Sequence, residues 1–89
     1  MRRPVIGVMG GSKASPDVHA MAKELGSLIA QRGWALLNGG RNQGVMAASA
    51  EGAKQAGGTV IGILPDSTDR HASPHLDFAI MTDMGDGRN

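Results

Sequence analysis

A glycine-rich turn between an apolar segment and a helix of small residues is the feature that most constrains this chain. It occupies residues 36–46 and reads Leu-Leu-Asn-Gly-Gly-Arg-Asn-Gln-Gly-Val-Met. The segment begins like the end of a buried strand, turns through Gly39 and Gly40, and restarts at Gly44 as a helix. Glycines let a ligand approach the backbone, and a helix N-terminus offers free N–H groups and a positive dipole end. The pattern therefore predicts a site for a phosphate or another anion.

The other apolar segments predict an alternation of strands and helices. Short runs rich in β-branched residues indicate strands, and the helix that starts at Ser15-Pro16 and stops at Gly33 has the expected capping residues. Its apolar positions form one predicted stripe: Val18, Met21, Ala22, Leu25, Leu28 and Ile29. The predicted strands cover residues 4–9, 34–37, 59–64 and 76–81, the predicted helices residues 16–32 and 44–56, and the predicted loops residues 66–75 and 82–89.

Strand, helix, strand, helix, strand is the order of a βαβαβ unit, which predicts an α/β protein with a Rossmann-like parallel sheet and a fourth strand. Right-handed crossovers that move the same way along the sheet place both helices on one face. The strands nevertheless read as continuously apolar, so both faces need a cover. We therefore expect this chain to be the first half of a longer domain, or a partner subunit to supply the missing layer.

Length and composition limit the alternatives. Eighty-nine residues make a single domain, residues 1–89. The net charge of +1 gives no indication of nucleic-acid binding, and the absence of cysteine excludes disulfides and thiolate metal sites. No apolar run is long enough to span a membrane and no signal peptide is recognisable, so a cytoplasmic protein without membrane or metal partners is expected.

A second glycine loop, Gly10-Gly11-Ser12, follows the first predicted strand. Loops after neighbouring parallel strands converge on the crevice where such sheets bind ligands, which favours a binding site over an ordinary tight connection. The spacing is not that of a dinucleotide fingerprint, and the second loop lacks the Gly-Lys-Ser/Thr of a P-loop. The candidate phosphate-binding residues are Gly10, Gly11, Ser12, Gly39, Gly40, Arg41, Gly44, Val45 and Met46.

Charged and imidazole side chains add few candidates. Arg41 and Arg88 are potential phosphate ligands, because a guanidinium holds phosphate through two parallel hydrogen bonds, although a lone surface Arg is more often simply solvated. His71 and His75 lie in a Pro-containing loop and are interpreted as surface residues rather than metal ligands.

Four motifs in this order resemble the SLOG superfamily, which includes the LOG proteins and the molybdenum cofactor carrier proteins. They are residues 5–12 (Val-Ile-Gly-Val-Met-Gly-Gly-Ser), residues 38–46, residues 57–65 (Gly-Gly-Thr-Val-Ile-Gly-Ile-Leu-Pro) and residues 82–89 (Thr-Asp-Met-Gly-Asp-Gly-Arg-Asn). The Gly-Arg-Asn ending is more similar to the carrier branch. The resemblance implies a homo-oligomer that binds a phosphorylated small molecule, either a molybdopterin-type cofactor or a nucleoside monophosphate, at the glycine loops.

The resemblance also implies an alternative enzymatic function. LOG enzymes are nucleoside 5′-monophosphate phosphoribohydrolases that use an Arg, here matched approximately by Arg88, and a Glu after a Pro-Gly-Gly-x-Gly-Thr loop, which is absent from these residues. Glu24 and Glu51 fall inside predicted helices and are poor substitutes for that Glu. The leading hypothesis is a carrier-like binding module. The alternatives are a phosphoribohydrolase, with Arg88 as its catalytic candidate, and an inactive half-domain.

Overall fold

A computed structural model of the chain describes residues 3–11, 13–64 and 72–82. The predicted order of strands and helices is confirmed. Ser15 caps the first helix by accepting a hydrogen bond from the Val18 N–H at 3.3 Å, and Gly33, at φ 76°, follows its last turn. The elements are β1 (Val5–Gly7), α1 (Pro16–Gln31), β2 (Ala35–Asn38), α2 (Gly44–Gln55), β3 (Thr59–Leu64) and β4 (Phe78–Met81).

The four strands form one parallel sheet in the order β1-β2-β3-β4. Leu36 of β2 lies in register with Ile6 on one side and with Val60 on the other. Side chains in register on parallel strands point to the same face, so these residues lie together. The chain therefore has the Rossmann-like α/β architecture that the sequence predicts.

Both helices pack on the same face of this sheet. A single buried cluster contains Ile29 of α1, Ala50 and Ala53 of α2, and Leu36 and Val60 of the sheet. Leu36 and Val60 have no exposed surface, so this layer between helices and sheet is the core of the described chain. The prediction that both helices share one face is confirmed.

The opposite face of the sheet is uncovered in the described residues. Ile63 is 42% exposed, and its register partner Ile80 is 49% exposed. Phe78, which pairs with Ile61 on the same face, is 60% exposed. The expectation that this chain lacks a cover for one face of its sheet is confirmed, because no element of the described chain packs against this face.

The first strand is shorter than predicted. Residues 4–9 were expected to form it, whereas only Val5–Gly7 do, and Met9 is almost fully exposed. β1 lies at the edge of the sheet, where it pairs with β2 alone and has an uncovered face. An apolar run in that position has less to pack against than a central strand, so its regular part is shorter.

The apolar residues of α1 do not form the single buried stripe that their spacing predicts. Ala22 and Ile29 are buried together with Gly26, whereas Val18, Met21, Leu25 and Leu28 are between 41% and 64% exposed. The buried line follows the contact between the two helices. Small residues at that contact bring the helices so close together that the neighbouring larger side chains remain outside.

Two glycines make the close approach of the helices possible. A Cβ on Gly26 of α1 would collide with the backbone carbonyl of Ser49, and a Cβ on Gly52 of α2 would collide with the backbone carbonyl of Lys23. Both obstacles are backbone atoms, which cannot move aside as the end of a flexible side chain can. Each helix therefore places a glycine against the backbone of the other.

We expect the substitution Gly26→Ala to destabilise the chain by about 1–3 kcal/mol, the usual cost of overpacking a rigid contact. Helix propensity alone predicts the opposite sign, a gain of about 1 kcal/mol from replacing a helical glycine. Urea unfolding monitored by circular dichroism measures the difference. Gly7→Ala is the matched control, because nothing lies within 4 Å of a Cβ at that position. Equal stability of the two variants would contradict a tight helix contact.

The fourth strand is attached by Asp77, the residue before it. The Asp77 carboxylate accepts hydrogen bonds from the Val60 N–H at 2.7 Å and from Lys54 Nζ at 2.8 Å, and Lys54 also donates to Gly58 O. Partial burial by itself raises the pKa of Asp77, but these hydrogen bonds and the Lys54 charge together lower its pKa below the ordinary value. The ionised carboxylate therefore helps to hold β4 beside β3.

A lowered pKa in the folded chain means that the folded state binds fewer protons than the unfolded state as the pH falls. The contribution of Asp77 is thus complete above its ordinary pKa of 3.8 and is lost as the pH falls below it. We expect Asp77→Asn to cost up to about 1 kcal/mol at pH 7, since the ion pair is partly exposed. Urea titrations from pH 7 to pH 2 should show a shallower acid loss for the variant. Parallel curves for variant and wild type would contradict this role.

Candidate functional site

A cavity of about 480 Å³ opens at the carboxyl ends of the first three strands. Leu37 and Ile63 lie on the uncovered face of the sheet, and the first turn of α2 borders the cavity through Met46. Its size is within the range of about 300–1,000 Å³ that is usual for small-molecule sites. The lining residues are Gly7, Val8, Met9, Gly10, Leu37, Asn38, Gly39, Met46 and Ile63.

The two predicted glycine loops meet at this cavity. Gly10, Gly39 and Met46 are the predicted site residues that line it. A Cβ on Gly39 would lie 2.5 Å from Sδ of Met46, so the second turn and the start of α2 are in direct contact. The convergence inferred from two loops after neighbouring strands is therefore present in the structure, at the edge where parallel α/β sheets bind ligands.

The first loop also rests on the start of α2. A Cβ on Gly10 would lie 2.6 Å from Cβ of Val45, and the Val45 N–H donates to Gly11 O at 3.3 Å. Gln43 occupies the N-cap position without a side-chain hydrogen bond, and Gly44 begins the helix at φ 53°. One of the helix N–H groups expected to face an anion is therefore bonded to the first loop instead.

Gly40 has a structural reason to be glycine. Its φ is 81°, and a Cβ there would lie 3.1 Å from Cα of Gly62 in β3. Its carbonyl accepts a hydrogen bond of 2.7 Å from the N–H of Ser73, which is buried. The interpretation of residues 66–75 as a surface loop is thus wrong at Ser73, because this segment packs against the glycine turn.

Of the two arginine candidates, only Arg41 falls within the described residues. Arg41 forms an isolated antiparallel bridge with Ala72, which ties the turn to the segment before β4, and it is not among the lining residues. The predicted phosphate ligand Ser12 and the predicted catalytic residue Arg88 lie outside the described residues.

Sequence reasoning missed Asn38, although the residue stands in the motif. Its Oδ1 accepts the Gly40 N–H at 2.7 Å, and its Nδ2 donates to Met46 O at 3.1 Å and to Ser49 Oγ at 3.3 Å. A polar residue at the end of an apolar strand, two positions before a glycine with positive φ, is the signal of an Asx turn. That signal was available in residues 38–40.

The chemistry of the cavity wall suits binding better than acid–base catalysis. Among the described residues, neither Glu24 nor Glu51 lines it, and Glu51 lies 3.8 Å from Lys23 between the two helices. The wall consists of glycine backbone, aliphatic and methionine side chains, and one amide. Such a surface accommodates an apolar or planar group and offers backbone polar groups for orientation.

Comparison with known families matches residues 3–89 to the model of the SLOG cluster4 family. The chain belongs to this family. An uncharacterized protein of Archaeoglobus fulgidus is 44% identical over the whole chain, which spans 58% of that relative's length. No helix in the described ranges is long and apolar enough to cross a membrane.

Two solved structures that are similar to this chain are molybdenum cofactor proteins. The molybdenum cofactor binding protein of Rippkaea orientalis is 50% identical, with a TM-score of 0.93 over 96% of this chain and 53% of that one. The Moco carrier protein of Chlamydomonas reinhardtii is 48% identical, with a TM-score of 0.91 over 99% of this chain and 54% of that one. This member of the family therefore spans about half the length of these relatives. The SLOG resemblance inferred from the motifs is confirmed.

The two glycines of the turn should respond differently to a methyl group. Gly40→Ala is expected to cost about 1–3 kcal/mol, because alanine is strained at φ 81° and meets the Gly62 backbone. Gly39→Ala is the matched comparison, because its new Cβ meets only the end of the flexible Met46 side chain. Chemical denaturation of both variants measures the contrast. A larger loss for Gly39→Ala than for Gly40→Ala would contradict the described packing of the turn.

Proposed function

We propose that this chain provides a carrier-type binding site for a phosphate-bearing pterin of the molybdenum cofactor type. The observation that carries the proposal is the cavity bordered by both glycine loops and the first turn of α2. The similarity of the chain to two molybdenum cofactor proteins, at 48% and 50% sequence identity, supports this choice of ligand. The cofactor is cargo in this proposal, held without chemical change.

The residues fit the two parts of such a ligand. The backbone at Gly10 and Gly39 is open to close approach by a phosphate, and the start of α2 adds the positive end of its dipole. Leu37, Ile63 and Met46 provide apolar surface for a flat ring. Met46 is unbranched and adaptable, which suits a contact with a bound ring.

We propose further that the chain works in a homo-oligomer in the cytoplasm. The uncovered face of the sheet and the exposed line Val18, Met21, Leu25 and Leu28 on α1 support association, since contiguous apolar surface of this kind favours a partner.

The test is retention of the cofactor. Molybdenum cofactor released from a donor molybdoenzyme is mixed with the 89-residue chain, the protein fraction is separated by gel filtration, and bound pterin is measured by fluorescence after oxidation. We expect stoichiometric retention by the wild type. Incubation with AMP provides the second arm: release of free adenine would favour a phosphoribohydrolase, and retention of neither compound would overturn the proposal.

Gly7→Leu should block the site while sparing the fold. Nothing lies within 4 Å of a Cβ at Gly7, and the residue lines the cavity, so the leucine side chain would occupy ligand space. We expect affinity for the cofactor to fall about tenfold or more. Val5→Leu is the matched control, because Val5 lies two positions earlier on the same face and does not line the cavity. Unchanged binding by Gly7→Leu would place the ligand elsewhere.

A further inference from the structure

A buried polar cluster joins the end of β2 to the beginning of α2. It consists of the side chains of Asn38 and Ser49 and the backbone of Gly40 and Met46. Asn38 is 6% exposed and Ser49 is not exposed at all. Asn38 and Met46 contribute to the cavity wall, whereas Ser49 lies behind it, on the side of the core.

Both side chains of the cluster have their hydrogen-bond partners within it. The Gly40 N–H donates to Asn38 Oδ1 at 2.7 Å, and Asn38 Nδ2 donates to Met46 O and to Ser49 Oγ. The Ser49 hydroxyl in turn donates to Met46 O at 3.2 Å. A buried polar network that is fully satisfied makes its region rigid, because any displacement leaves a desolvated group without a partner.

The cluster connects two parts of the cavity wall. Gly39 lies between Asn38 and Gly40 and lines the cavity, as does Met46 on α2. The amide of Asn38 thus spans from the glycine turn to the first helical turn. An apolar side chain of similar size would fill the same volume but would leave the separation of these two segments unfixed.

We propose that Asn38 is a positioning residue, which together with Ser49 holds the Gly39–Gly40 turn and the first turn of α2 at the separation that the phosphate-bearing ligand requires. This inference rests on the proposed function and deepens it. The amide of Asn38 makes its hydrogen bonds within the cluster, so the residue acts through the backbone of the turn. Its effect is preorganisation, which preserves affinity by removing the need to order the loop on binding.

Ser49→Ala is the decisive variant. Ser49 is completely buried and does not line the cavity, so a loss of affinity in this variant cannot be a lost contact with the ligand. We expect affinity for the molybdenum cofactor to fall about threefold in Ser49→Ala and about tenfold in Asn38→Leu. The larger loss is expected for Asn38→Leu because this variant also removes the hydrogen bond to the Gly40 N–H. If Asn38→Leu fails to fold, Ser49→Ala alone decides.

Amide hydrogen exchange distinguishes a local loosening of the glycine turn from a general loss of stability. The Gly40 amide should exchange faster in both variants, while amides of β3 keep their wild-type rates. Val60→Ala is the control: Val60 is fully buried, lies in β3 and does not line the cavity. That variant should lose stability without a change in affinity or in local exchange at Gly40.

Three results would overturn the inference. The first is wild-type affinity in Ser49→Ala and Asn38→Leu. The second is a loss of affinity in Val60→Ala equal to that in the two cluster variants, which would mean that the cluster affects binding only through the overall stability of the fold. The third is unchanged Gly40 exchange in both cluster variants. If the wild type retains no cofactor but Gly40 exchange still responds to both variants, the proposed function fails, and the fixing of the turn by Asn38 stands.

Discussion

The close contact between the two helices, made possible by Gly26 and Gly52, sets the geometry of the helical layer. Each glycine accommodates a backbone carbonyl of the other helix, from Ser49 and from Lys23. The helices approach so closely that the layer above the sheet is thin, and alanines, rather than large side chains, fill much of it. A chain with few aromatic residues obtains a dense core in this way, because small residues allow close packing of helix on helix and helix on sheet.

The position of α2 then determines the candidate site. Ser49 takes part both in the contact with Gly26, through its carbonyl, and in the buried cluster with Asn38, through its hydroxyl. The first turn of the same helix meets the first loop at Gly10 and the second at Gly39. The position of α2 on the sheet therefore determines both the packing of the helix pair and the shape of the cavity wall.

The sequence predicted the elements well, because strands and helices here have strong periodicity and clear capping residues such as Ser15 and Gly33. It predicted the meeting of the two glycine loops from topology alone. It could not predict which side of α1 is buried. Val18 and Ala22 are both apolar, and only the close helix contact at Gly26 makes Ala22 buried and leaves Val18 exposed. The sequence predicts Gly40 as a ligand contact, whereas a Cβ there would meet Leu64 and the backbone of Gly62 in β3. Close approach of two backbones depends on tertiary packing that no local pattern specifies.

The edge position of β1 affects how the chain behaves at high concentration. An edge strand presents a row of hydrogen-bonding groups to which a strand from another molecule can add. Here that strand is only three residues long, so it offers few such groups. Its short length therefore limits the addition of a strand from another molecule beside the apolar face of the sheet, and with it the tendency of a half-covered sheet to aggregate.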